Sequence, residues 1–178
     1  MWLLLFFTGI ITWTFLEYML HRFLGHVHKG KNFFKAEHQV HHSKANYFAP
    51  FYKKALAAFV VSIFLLALLS LVLSTLNAIA FVAGLIGMYC MYENTHYRYH
   101  STEPLAAPFI ILRKHHFYHH FHNPNVNHGV TTRFWDRVFN TFVSVEKVKV
   151  PQKMSMKWLV TNDEIKPPYE KHFQLNKR

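Results

Sequence analysis

ALAAFVVSIFLLALLSLVLSTLNAIAFVAGLIGMYCMY (Ala55–Tyr92) runs for 38 residues without a charged side chain or a histidine. As one helix, at about 1.5 Å per residue, it would measure roughly 57 Å, nearly twice the roughly 30 Å hydrocarbon core of a bilayer. Two spans fit instead. The polar cluster Ser74-Thr75-Leu76-Asn77 is where the chain is expected to turn between them. A second apolar stretch, Trp2 to Leu24, is long enough for a further span. It lacks the basic leader of a cleaved signal peptide and is read as a retained helix.

The charges are segregated. All 20 Lys and Arg fall within residues 22–54 and 98–178, and the formal net charge is +11. Three crossings place all of these residues on one side of the membrane, and the positive-inside rule makes that side cytoplasmic. A basic excess of this size also suits nucleic-acid binding. Here the basic segments alternate with long apolar blocks, so a membrane accounts for them and nucleic acid is not expected as a partner.

The expected architecture is therefore an all-α integral membrane protein, a single domain over residues 1–178. Its transmembrane helices run over about 2–24, 55–74 and 77–95. A cytosolic helical cap comprises 25–54 and 96–150, and a charged tail follows over 151–178. The apolar patch Pro104 to Leu112 is too short to cross and is expected in the membrane interface. Cap aromatics such as Phe33, Phe34, Trp135 and Phe139 suit headgroup level or the core of the cap. The single cysteine, Cys90, lies in an apolar run, so neither a disulfide framework nor a cysteine metal site is available.

The cap carries the chemistry. The 15 histidines include His21-x(4)-His26, His38-x-x-His41-His42, His96-x(3)-His100 and His116-x-x-His119-His120. Residues three or four apart share a helical face, whereas adjacent ones diverge by about 100°. Each H-x-x-H-H triplet can thus serve two neighbouring metal ions. His21 and His26, five apart, would diverge on a straight helix, and Gly25 offers a break. Glu17 and Glu93 precede His21 and His96 by four and three residues. Both are candidate carboxylates for steadying a ligand imidazole. His28, His115, His122, His128 and His172 are read as ordinary polar residues, His122 and His128 being the strongest exceptions.

Eight to ten imidazoles imply two metals, and imidazole accepts Zn, Cu, Fe and Ni alike. A greasy setting favours redox metals that oxidise an unactivated C–H bond with O2 over a hydrolytic zinc. Transport is disfavoured because residues 55–92 contain no Asp, Glu or His to line a path.

The order and spacing of the four histidine pairs and triplets resemble the fatty acid hydroxylase / sterol desaturase superfamily. So do THYRYH (Thr95–His100) at the end of a span and GVTTRFWDRVFNT (Gly129–Thr141) after the last triplet. The chain is most similar to the fatty acid 2-hydroxylase branch. The resemblance implies a membrane-bound di-iron monooxygenase that hydroxylates a lipid acyl chain with O2 and two external electrons. Its metal ligands would be His21, His26, His38, His41, His42, His96, His100, His116, His119 and His120, with Glu93 acting from outside the ligand set. Zinc is an expected substitute for the two irons in purified protein. A separate ferredoxin, cytochrome or reductase would supply electrons, since no cytochrome b5-like domain is read in the chain. His128 stands where relatives commonly carry an aromatic residue. The expected location is a bacterial inner membrane with the histidines cytoplasmic, or the endoplasmic reticulum in a eukaryote. Desaturation, or sterol or carotenoid hydroxylation, is the alternative within the superfamily. A non-redox metal-binding membrane protein is the alternative outside it.

Overall fold

A computed structural model describes residues 1–104 and 106–177. The chain forms two compact units, Met1–Leu16 with Phe48–Asn94, and Glu17–Tyr47 with Thr95–Arg178.

Three helices are long and apolar enough to cross a membrane: Trp2–Val27, Phe51–Leu69 and Thr75–Ser101. The first comprises α1 (Trp2–Met19) and a π-helical turn (Leu20–Val27); the others are α3 and α4. Long runs of Leu, Ala, Ile and Phe without proline favour helix. Only helices or closed barrels satisfy every backbone group inside a bilayer. α3 buries none of its residues, and Phe64 and Phe59 are mostly exposed, as lipid-facing side chains should be. The protein is an integral membrane protein. The turn between α3 and α4 occupies residues 70–74. Thr75 to Asn77, expected in that turn, instead open α4.

In the first unit α1 and α4 touch through glycine. A Cβ on Gly84 would lie 2.0 Å from the Phe6 carbonyl oxygen, and one on Gly9 would lie 2.1 Å from that of Phe81. Without a hydrophobic effect between helices in lipid, such close backbone approach supplies the packing. Trp13 continues the contact against Tyr89, ring centroids 4.8 Å apart. Lys54, near the start of α3, pairs with Glu93 on α4.

The second unit holds the histidines. α2 (Phe33–Ser43) starts at Asn32, whose side-chain oxygen accepts the Lys35 N–H at 2.7 Å. α5 (Ala107–Phe121) carries the last triplet. Residues 107–112, expected as an interfacial patch, are its first turns; Leu105, within that patch, lies outside the described residues. α6 is the short helix Phe134–Val138.

The tail is not featureless. β1 (Val148–Pro151) pairs in parallel with β4 (Phe173–Asn176), and β2 (Val160–Thr161) pairs antiparallel with β3 (Glu164–Ile165). Val148, Val150, Leu159 and Phe173 are buried, and Phe117 of α5 lies against Phe173 with ring centroids 5.9 Å apart. Buried Arg113 sits 4.5 Å from the Trp158 ring and donates to the Thr102 carbonyl. The tail thus backs the helix that carries His116, His119 and His120. The fold remains predominantly helical with three membrane-length helices, as the sequence implies.

Candidate metal centre

The π turn solves the problem of His21 and His26. On an α-helix, residues five apart diverge by about 140°. In π geometry the hydrogen bond reaches from i to i+5, so they stack one turn apart. The His28 N–H donates to the Phe23 carbonyl at 2.8 Å, five residues back, and the two imidazoles lie with centroids 5.3 Å apart. Gly25 leaves room for the His38 ring there: a Cβ would lie 3.0 Å from it, a contact tight enough that the ring would have to shift.

Among the described residues the histidines gather into two groups of five: His21, His26, His38, His42 and His119, and His41, His96, His100, His116 and His120. Within each group the ligand nitrogens all lie within 4.8 Å of one another. All ten residues singled out from the sequence are present, five in each. The triplets are divided as adjacency requires: His38 and His42 face one group and His41 the other, while His119 is separated from His116 and His120. Stacked rings of His42 and His120, 4.1 Å apart, join the groups.

The arrangement fits a metal pair. A metal–nitrogen bond of about 2.0–2.1 Å sets neighbouring ligands at right angles about 2.9 Å apart. The Nε2–Nε2 separations are 3.1 Å for His21–His38, 2.8 Å for His26–His38 and 3.1 Å for His42–His119. In the second group they are 3.0 Å for both His41–His96 and His100–His116. Rings also oppose one another, His38 to His119 at 6.3 Å and His41 to His116 at 6.5 Å, like ligands across a metal. Both ring nitrogens of His120 and Nδ1 of His116 are buried without a hydrogen-bond partner.

Several of the grouped imidazoles are oriented from behind. Nδ1–H of His21 donates to the His128 carbonyl at 2.5 Å, that of His41 to Tyr47 at 2.7 Å, and that of His119 to Val126 at 2.8 Å. The assigned tautomer leaves the Nε2 lone pair facing inward. Burial holds His38, His116, His119 and His120 well below the ordinary imidazole range, and neighbouring imidazoles add to this. The same causes bring His42 down to about 3. These rings are neutral at pH 7, the form that binds metal.

The loop that supplies the His128 carbonyl is clamped by two buried carboxylates. Glu17 accepts the N–H groups of Val130 at 2.6 Å and Thr131 at 2.9 Å, and the Thr131 hydroxyl at 2.6 Å. Its carboxylate therefore serves this loop rather than a histidine. Asp136 accepts N–H groups of His128 and Gly129, each at 2.8 Å, the Thr141 hydroxyl at 2.8 Å and His115 Nε2–H at 2.9 Å. Burial pushes the Asp136 carboxyl up, but His115, Gly129 and Thr141 outweigh it, and the group lies below the usual carboxylate range. Burial lowers His115 in spite of Asp136. Sequence reasoning missed Asp136, although it stands within the quoted segment Gly129–Thr141. Glu93 is engaged by Lys54 and neighbours Tyr89. His122 accepts the Lys149 N–H at 2.9 Å, which ties it to β1.

A sequence model described as fatty acid hydroxylase matches residues 6–141. The chain is 32% identical over 142 residues to dihydroceramide fatty acyl 2-hydroxylase FAH2 of Arabidopsis thaliana, covering 78% of this chain and 60% of that one. It is 33% identical over 151 residues to fatty acid 2-hydroxylase of Mus musculus, covering 80% of this chain and 40% of the relative. Among solved structures it resembles full-length scs7p, of which only the hydroxylase domain is visible. The TM-score is 0.61 at 30% identity, over 80% of this chain and 56% of the other. The chain thus spans about half the length of these relatives.

Proposed function

The chain belongs to the fatty acid hydroxylase family, and from that premise we propose that it hydroxylates the acyl chain of a membrane lipid at a pair of iron ions. The observation that carries this reading is the pair of five-histidine groups joined by His42 and His120. Similarity to fatty acid and dihydroceramide fatty acyl 2-hydroxylases favours a 2-hydroxylase-like reaction.

The ligands would be His21, His26, His38, His42 and His119 for one ion, and His41, His96, His100, His116 and His120 for the other. Bound iron, with O2 and two electrons from a separate donor, supplies the oxidising power that an unactivated C–H bond requires. The protein's own residues do the rest. Carbonyls of His128, Tyr47 and Val126 hold three imidazoles in register. Buried His116 and His119 sit where water is excluded. Glu93, tied to Lys54, acts at a distance by fixing α4 three residues before His96. Segregated basic residues favour a cytoplasmic orientation for the histidines.

The test is mass spectrometry of acyl lipids from host cells with and without the protein. A lipid heavier by one oxygen atom is expected, and it should vanish in a His42→Ala variant that still resides in the membrane. A lipid lighter by two hydrogens would move the reaction to desaturation. Unchanged lipids from iron-loaded, reductant-supplied protein would overturn the assignment.

A further inference from the structure

A cleft between the first turns of α5 and residues 131–137 contains none of the grouped histidines. It encloses about 300 Å³, the small end of the roughly 300–1,000 Å³ that ligand clefts occupy. Pro108, Ile111 and Leu112 form an apolar wall, and Thr132, Arg133 and Arg137 a polar one.

The two arginines are held together without an anion. They are four residues apart, one just before α6 and one within it, and so fall on one side of that turn. Both guanidinium groups lie against the Phe142 ring, 5.7 Å and 4.6 Å from its centroid. Among the described residues neither forms an ion pair. The neighbouring acid, Asp136, is buried and already accepts from His115, His128, Gly129 and Thr141. Burial lowers the Arg133 guanidinium below its ordinary value, and the Arg137 charge lowers it further. A bound anion would relieve that repulsion. The Thr132 hydroxyl accepts the Phe134 N–H at 3.1 Å, which leaves its own proton free to donate.

The rim is apolar. Phe134 and Val138 each follow one of the arginines and are 55% and 50% exposed, and Phe109 and Ile111 of α5 are exposed as well. Basic and bare apolar side chains on one short element suit the headgroup layer of a bilayer, where guanidinium meets phosphate and the apolar groups meet acyl carbon. We propose that this cleft binds the phosphate of an anionic phospholipid. Arg133 and Arg137 are its paired donors, Thr132 is a third, and the α5 wall lies against the glycerol and first methylenes. Guanidinium forks match phosphate oxygens two at a time. A zwitterionic headgroup brings its own cation and competes poorly. The site requires no metal. Thr131, which also lines the cleft, is held by Glu17, so the bound lipid braces the loop that carries His128.

The test titrates purified full-length protein in detergent with phosphatidic acid and, in parallel, with phosphatidylcholine, and counts retained lipid by native mass spectrometry. Wild type should retain about one phosphatidic acid per chain in preference to phosphatidylcholine. Arg133→Gln combined with Arg137→Gln should weaken that retention about tenfold or more, the worth of a charge-assisted hydrogen bond. Lys153→Gln combined with Lys157→Gln removes the same charge from exposed tail positions and should leave it unchanged. If the arginine variant fails to fold, Arg133→Lys with Arg137→Lys keeps the charge without the fork and should still weaken retention. Equal retention of the two lipids by wild type overturns the proposal. Equal weakening in the arginine and lysine variants does so too, since it would mean diffuse attraction to a basic surface. Complete displacement of the lipid by millimolar inorganic phosphate would likewise overturn it, by marking a site for a soluble anion.

Discussion

Asp136 and His128 are joined by a 2.8 Å hydrogen bond from the His128 N–H to the buried carboxylate, and the carbonyl of His128 in turn receives Nδ1–H of His21. A carboxylate that touches neither histidine group thereby sets the angle of one grouped imidazole. A second chain reaches the same carboxylate: Arg22 donates to the Tyr18 hydroxyl at 2.7 Å, Tyr18 meets Thr141 at 2.9 Å, and Thr141 donates to Asp136. Asp136→Asn removes the charge and turns one acceptor into a donor, leaving buried N–H groups unmatched at about 1–3 kcal/mol each. The variant should melt earlier and lose the metal held by His21 before the one held by His41. Elemental analysis after graded chelation reads this. Equal loss of both metals would mean that Asp136 supports the fold alone.

Glu17→Ala strips the acceptor from Val130 N–H, Thr131 N–H and the Thr131 hydroxyl at once. A loss of several kcal/mol is expected, since each stranded donor costs about 1–3 kcal/mol. Protease sensitivity of residues 127–133 in detergent-solubilised protein measures it. A stable variant with a protected loop would show that Asp136 alone suffices.

The α1–α4 crossing leaves no room for a side chain. Gly84→Leu must displace the Phe6 backbone and should sharply reduce the amount of folded protein recovered from membranes. Gly87→Leu, with nothing within 4 Å of a Cβ, should be recovered normally. Comparable recovery of the two variants would contradict the close contact at Gly84.

Metal-free protein should be acid-labile. His38, His42, His116, His119, His120 and His128 are held below their ordinary value of 6.5, chiefly by burial, with His128 at about 4 and His42 at about 3. Below 6.5 the unfolded chain takes up protons that the folded chain refuses, so stability falls with pH. Asp136, whose carboxyl is lowered, adds stability that is lost only as pH falls below the ordinary carboxylate value. The melting temperature of the apoprotein should therefore drop steadily from pH 7 to pH 5, with metal loading opposing the drop. A flat profile would contradict neutral, buried imidazoles.

The three membrane-length helices and all ten group histidines were legible in the sequence because hydropathy and i, i+3, i+4 spacing act over short range. The division of each triplet between two groups followed from the angle between adjacent residues on a helix. The π turn was not legible. Gly25 announces a break without fixing its form, and the His38 ring that crowds it comes from another helix. Asp136 was equally hidden, because its donors come from residues 115, 128, 129 and 141 and meet only after folding. The tail strands are two to four residues long and gain their burial from α5, so no periodic signal precedes them.

The central claim is that ten histidines hold two metal ions in two separate positions. Elemental analysis of anaerobically purified protein from iron-supplemented cells tests it most directly, comparing wild type with His26→Ala and His96→Ala. The account predicts about two metal ions per chain in wild type and about one in each variant, since the variants belong to different groups. Wild-type protein that folds yet carries no metal, or variants that retain the full wild-type content, would contradict it.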